Sequence, residues 1–484
     1  MAMPTTDEKL AAKKTSSWIK AIWTGKSNNS TANARSFSRL RKLTIITIVS
    51  VAGTTTSLIS TVYYPALVQM QEYFQTTDTA INASVAIYVF LIGFSPVIWS
   101  SFSDVYGRRP IYLISFMIAI VGSVCCAVSV NIAMFIAFRA VAALGSSSCL
   151  SLGAATIGDI FESHQRGRAF SYYMTGPLLG PALGPIIGGG LNQALGWRSI
   201  FWFVTILNSC VWLATLLFLP ETRYTLKSEA SASMTPPATA ETDNTTEKAN
   251  DQPKKRKIIN PLESLGLLRN LNIALSAWFI GILFMVYYLM NVNFTRVYTV
   301  QYGFNSSLVG LFYLPCAIGN VLGGWIGGQA SDRLYMKRAK NHTGPAYPEM
   351  RLGGLFFYGS ITMQLLGFAA YGWCVQYNIH FSAGLVFLFF VGLALGAQNI
   401  TTSTYMVDCF RDRSASVTAC NNFMRYTMSG ISSLVAADLG RVLMPGILYT
   451  LCGAVLFLFG GCIVYIQTKG AKKAKQRQQE ELVQ

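Results

Sequence analysis

The chain has 484 residues, of which 52% are apolar and only 12% charged, about half the ~25% charged share of soluble domains. That composition excludes a soluble globular protein, and a net charge of +17 on so apolar a chain is a topology signal that needs no nucleic acid to explain it. Ten cysteines without an evident external pair, and His164, His342 and His380 without a metal-ligand spacing, exclude a disulfide framework and a metal centre; no catalytic triad or G-x-x-x-x-G-K-[ST] phosphate loop is present, which sets aside an enzyme and a nucleotide-driven pump.

Residues 1–42 form a polar, basic cytoplasmic tail rich in Ser and Asn, without the apolar core of a cleavable signal. Apolar runs long enough for the ~20 residues that cross a bilayer then centre at 44–64, 80–101, 111–130, 132–157, 169–193 and 199–219. After a Ser-, Thr- and Pro-rich stretch that ends in the basic run Lys254–Lys257, six more centre at 271–292, 307–328, 352–372, 381–405, 414–437 and 443–466. The sequence therefore predicts an all-α integral membrane protein with twelve transmembrane helices. Two six-helix halves, 43–220 and 269–467, are joined by a flexible cytoplasmic linker, 221–268, and followed by a cytoplasmic tail, 468–484. With both termini cytoplasmic, Arg198, Arg296 and Arg441 lie outside and Arg139 and Arg425 within spans, while the other basic residues face the cytoplasm.

The first span is rich in Ser and Thr from Thr44 to Thr61, whose hydroxyls either bond their own helix carbonyls or line a polar path. After the second span, SSFSDVYGRRP packs Asp104, Gly107, Arg108 and Arg109 into a short connection that reads as a cytoplasmic charge clasp. The second half echoes it with Gly328, Asp332 and Arg333, and Asp159-x-Phe161 is echoed by Asp408-x-Phe410 at the end of the fourth span of each six. These echoes predict an internal repeat of the kind found in alternating-access transporters. In the fifth span, GPLLGPALGPIIGGG places Gly176, Gly180, Gly184 and Gly188 on one ridge of a helix and Pro177, Pro181 and Pro185 on the next. Such a segment fits a bilayer, where small residues let helices approach and neighbours re-satisfy carbonyls that proline sets free.

SDVYGRRP resembles the loop motif of the major facilitator superfamily, with Ser100 where a glycine is usual and Val105 where a basic residue is common. Arg139 with Gly145 is similar to the family's fourth-span motif, with Ala142 and Ala143 in place of the usual glutamine and first glycine. Gly180, Gly184, Pro185, Gly188 and Gly189 match its fifth-span antiporter motif. From Leu43 to Ile466 the chain resembles the fungal twelve-span drug:proton antiporter group, including the quinidine-resistance branch. The resemblance implies a rocker-switch motion, with the clasp gating the cytoplasmic side and the glycine-proline ridge sealing the outer side.

Substrate chemistry is read from polar groups inside the spans, where a charge is costly. Arg139 and Arg425 stand there, and no Asp, Glu or Lys clearly does, so the expected substrate is anionic. Ala142, Ala143, Ser146 and Ser147 leave room for a ligand beside Arg139. Asn421, Asn422, Tyr287, Asn291, Gln398 and Asn399 are the further candidates for substrate binding or proton coupling. The expectation is a plasma-membrane secondary exporter, functional as a monomer, that uses a proton gradient and no cofactor to move a small carboxylate. Itaconate is an example, since some fungal members of the group export it. A broad multidrug or organic-cation:proton antiporter, a vacuolar or other secretory-pathway location, and a non-transporting sensor are the alternatives.

Overall fold

The computed structural model describes residues 37–161, 163–222, 266–341, 347–409 and 414–483. Most of the expected tail, linker and the Lys254–Lys257 run lie outside those residues. Twelve long helical spans follow one another: Arg39–Tyr73, Asp78–Tyr106, Arg108–Ala127, Ile132–Ile160, Ser163–Leu195 and Trp197–Phe218 in the first half. Leu271–Gln301, Ser306–Lys340, Leu355–Gln376, Phe381–Cys409, Ser414–Val442 and Pro445–Lys469 make up the second, and the last helix runs on to Val483, so the start of the expected C-terminal tail is helical. Among the described residues nine helices are long and apolar enough to cross a membrane. Spans five, nine and eleven miss that standard because of their glycines and prolines, Gln364, and Ser and Asn residues respectively.

Local chemistry sets the ends. Thr77 caps span two by accepting from the Ala80 amide at 3.3 Å, and Gly107, at a φ of 104°, turns the chain directly into span three. Asn131 caps span four through the Met134 amide at 2.8 Å.

The packing repeats six spans apart. Span one lies on five as seven lies on eleven, two on four as eight on ten, and three on six as nine on twelve. The halves meet where span two packs on eleven and span five on eight, two contacts that exchange under the same operation. The internal echo of the acids is thus a true structural repeat.

The glycine ridge of span five packs on span one, within the same half. A Cβ at Gly176 would stand 2.4 Å from the Ser50 carbonyl oxygen, and one at Gly188 only 1.5 Å from that of Val62. Only its far end reaches the other half, where a Cβ on Gly189 would stand 2.4 Å from the Ser306 carbonyl oxygen. The ridge is therefore chiefly an intra-half seam whose far end meets span eight of the other half.

Span five stays helical through Pro177, Pro181 and Pro185 because span one supplies donors. Pro177 cannot bond the Tyr173 carbonyl, and the Ser50 hydroxyl donates to that oxygen at 3.1 Å. Pro185 likewise frees the Pro181 carbonyl, which accepts from the Thr61 hydroxyl at 3.5 Å. Thr44, Thr47, Thr54 and Thr55 bond carbonyls of their own helix. The hydroxyls of span one thus serve backbone carbonyls, which answers the choice left open by the sequence against a polar path.

Span four breaks at Ser147, and hydroxyls from its neighbours hold the break. Ser146, Ser147 and Ser148 are buried and pair with Tyr88 at 3.0 Å, Ser95 at 2.6 Å and Ser115 at 2.6 Å, while Thr56 donates to the Ser146 carbonyl at 2.6 Å.

The seam gives a direct test. Gly188→Ala should lower the thermal unfolding midpoint of the detergent-solubilised protein by several degrees or prevent its accumulation. Gly190→Ala, where a Cβ meets nothing within 4 Å, should leave the midpoint unchanged.

Candidate functional site

The described basic residues Arg108, Arg109, Arg333, Lys337, Arg338, Lys340 and Arg351 share one end of the bundle, called here the basic end. There Arg108, at the start of span three, bonds Asp104 of span two at 2.7 Å and Asp159 of span four at 3.1 Å. Its Nη1 also donates to the Ser103 hydroxyl at 2.6 Å. In the second half Arg351 bridges Asp332 of span eight and Asp408 of span ten, the latter at 2.9 Å. Each half thus holds one guanidinium between two carboxylates at equivalent places.

These clasps correct two expectations. Among the described residues Arg333 is exposed and donates to Gln329 of its own helix at 3.3 Å, and Arg351, in the connection before span nine, fills the role assigned to it. Arg109 bonds the Leu216 carbonyl at 2.5 Å and, with Arg108, offers its backbone N–H to Glu221, bypassing Asp104. Among the described residues the ion pairs of each clasp tie spans of one half together.

The bridge between halves stands at the opposite end. Asp78, at the start of span two, pairs with Arg296 of span seven at 2.5 Å and with Arg441 of span eleven. The Thr79 hydroxyl donates to Asp438 at 3.3 Å, and Asn192 of span five donates to the Ser306 hydroxyl at 2.7 Å. Sequence reasoning missed this latch. The one clue was an acid at the start of span two facing an end where Arg296 and Arg441 had already been placed.

Deep in the bundle the two arginines meet aromatic rings. The Arg139 guanidinium carbon lies 4.2 Å from the Tyr63 ring centroid and 3.9 Å from that of Tyr88. Its residue is 1% exposed, and Nε and Nη2 have no hydrogen-bond partner among the described residues. Arg425 lies 4.5 Å from the Tyr426 ring and 4.9 Å from that of Phe284, donates to the Tyr426 hydroxyl at 2.9 Å, and leaves Nε buried without a partner among the described residues. Half-buried rather than enclosed, Arg425 is the one of the two that a ligand can reach. Gly93 of span two admits Tyr426, whose Cβ would stand 2.8 Å from an added Cβ. Span two therefore presents Tyr88 to Arg139 and Gly93 to the neighbour of Arg425.

The remaining candidates divide. Among the described residues Asn421 donates to Ser403 at 3.1 Å and keeps a buried Oδ1 without a partner, and Gln398 is buried with Nε2 in the same condition. Asn399 accepts from Ser403 at 3.4 Å, and Asn291 donates to the Tyr287 carbonyl of its own helix at 2.8 Å, so both are engaged locally. The Asn422 carbonyl lies beside Gly93, 3.7 Å from where a Cβ would be. The room expected beside Arg139 is occupied: a Cβ on Gly122 of span three would stand 2.5 Å from the Ala142 nitrogen, Ala143 is fully buried, and Ser146 and Ser147 hold the break in span four.

Twelve spans in two equivalent halves, latched across one end and braced within each half at the other, are the architecture of a membrane transporter. The chain matches the Major Facilitator Superfamily over residues 49–433 and belongs to that family, whose members are transporters and not enzymes. It is 31% identical to the efflux pump radE of Floropilus chiversii, over 86% of this chain and 78% of that one. It is 25% identical to the MFS antiporter QDR3 of Candida albicans, over 91% of this chain and 79% of the other. A bacterial homologue of the human lysosomal transporter Spinster, solved inward-facing and unoccupied, superimposes with a TM-score of 0.65 at 12% identity, covering 90% of this chain and 99% of that one. The chain thus falls with the fungal drug-efflux group of the family.

Removing one partner of a largely buried ion pair leaves the others uncompensated, on the order of 3 kcal/mol. Arg351→Gln should therefore destabilise the purified protein measurably in thermal unfolding, and Arg108→Gln should do the same. Arg333→Gln should be silent.

Proposed function

We propose that this transporter is a secondary exporter of small organic anions, carboxylates foremost, working by alternating access as a monomer and driven by a proton gradient. The basic end faces the cytoplasm on this proposal, since Lys and Arg favour that side, and the membrane is the plasma membrane. The observation that carries the substrate class is the pair Arg139 and Arg425, each within a span and neither in an ion pair among the described residues. A guanidinium held away from water without a counter-charge is costly, and an anionic ligand removes that cost. Arg425, the more accessible, is the docking group, with Asn421 and Gln398 as further polar partners. Arg139, enclosed by Tyr63 and Tyr88, acts from behind those rings as the proton-coupling group.

A second reading is multidrug or organic-cation antiport. It is favoured by the aromatic faces around both arginines and by the printed names of the two relatives, one an efflux pump and one an antiporter. The carboxylates Asp104, Asp159, Asp332 and Asp408, which a cation would need, are each engaged by an arginine at the basic end.

Uptake into liposomes by the purified chain, with and without a pH gradient, separates the two. Saturable transport of a labelled dicarboxylate is expected, and Arg425→Ala should reduce it about tenfold or more, the loss of one charge-assisted hydrogen bond. Gradient-driven uptake of a lipophilic cation with no carboxylate transport would overturn the anion reading in favour of the second.

A further inference from the structure

The latch at the end opposite the basic loops lines a half-open cavity of about 140 Å³. Asp78 is the first half's contribution to its wall, whereas Asn293, Arg296, Arg441 and Tyr449 come from the second half. The second half offers donors with nothing to donate to. Among the described residues the Asn293 amide nitrogen, the Tyr449 hydroxyl and Arg296 Nε and Nη2 are buried without a partner. Asn293 is 7% exposed and Tyr449 1%. A ring of donors around two guanidinium groups suits an anion, and in this closed state the Asp78 carboxylate pairs with both arginines. Asp438, exposed on span eleven, is turned to the Thr79 hydroxyl and does not line the cavity.

Arg296 and Arg441 travel with one half and Asp78 with the other, so any parting of the halves at this end strips both arginines of their shared counter-charge. We propose that this cavity is a binding site for a small oxyanion, a carboxylate or phosphate-type group, that takes the place of the Asp78 carboxylate between Arg296 and Arg441 when the two halves part. The anion binds the open state in preference to the closed one and so shifts the equilibrium toward opening. Asp78 is then an internal competitor that holds the end shut until an external anion replaces it. The site is separate from Arg425 and holds whichever substrate class the transporter carries.

Calorimetric titration of the full-length purified chain with inorganic phosphate and with acetate, at constant ionic strength in chloride, tests this. An Arg425→Ala background removes the anion binding proposed above, so the two proposals fail independently. Asp78→Asn keeps the shape and removes the competitor, and the dissociation constant should fall about tenfold. Adding Arg441→Gln to Asp78→Asn should abolish saturable binding; the Arg441 side chain is 58% exposed, so that change leaves the fold intact. Tyr449→Phe, which removes a donor and no charge, should weaken binding severalfold in the Asp78→Asn protein. Affinity unchanged or lower in Asp78→Asn, or binding that survives loss of Arg441, would overturn the proposal.

Discussion

A carbonyl that proline leaves without its helical donor cannot turn to water inside a bilayer, and span five has three such prolines in a row. Two of those carbonyls are answered by Ser50 and Thr61 of span one. To reach them, span one must lie almost in van der Waals contact with the span-five backbone, and that approach is open only because Gly176, Gly180, Gly184 and Gly188 carry no side chain there. Glycines, prolines and hydroxyls are thus parts of one device. Spans one and five form a single packed unit, and span one in turn supports the break in span four through Thr56.

Charges follow a complementary plan. Within each half one arginine is held between two aspartates at the basic end, which makes each half a stiff body. Across the halves, Asp78 alone gathers Arg296 and Arg441 at the other end. Rigid bodies joined by a breakable latch are what a rocking motion needs, because strain then concentrates at the joint rather than spreading through the spans. Between the two ends the buried arginines rest on aromatic faces rather than on carboxylates, which keeps their charge available.

The architecture was legible because bilayer thickness imposes span length and because a repeated acid at a helix end leaves the same mark twice. Asp104 with Asp332, and Asp159 with Asp408, were matched from sequence and proved equivalent in space. Arg351 was hidden because the connection before span nine is longer than its counterpart, so the residue that replaces Arg108 in space does not replace it in register. The latch was hidden for a different reason: Asp78 and Arg441 are brought together by the packing of span two on span eleven, which no local pattern encodes. The hydroxyls of span one were seen, but their partners were not, since a freed carbonyl has meaning only once the proline helix lies alongside. A second glycine seam, Gly319, Gly323 and Gly327 of span eight against span ten, also carries the four-residue spacing and went unnoticed because no prolines marked it.

The closeness of spans one and five has a bearing on traffic from the lipid phase. With the Val62 carbonyl set against Gly188 and the Ser50 carbonyl against Gly176, no acyl chain can part these two helices, so that line of contact is sealed against lateral entry. The lines where one half faces the other, span two against eleven and span five against eight, lie outside that seal.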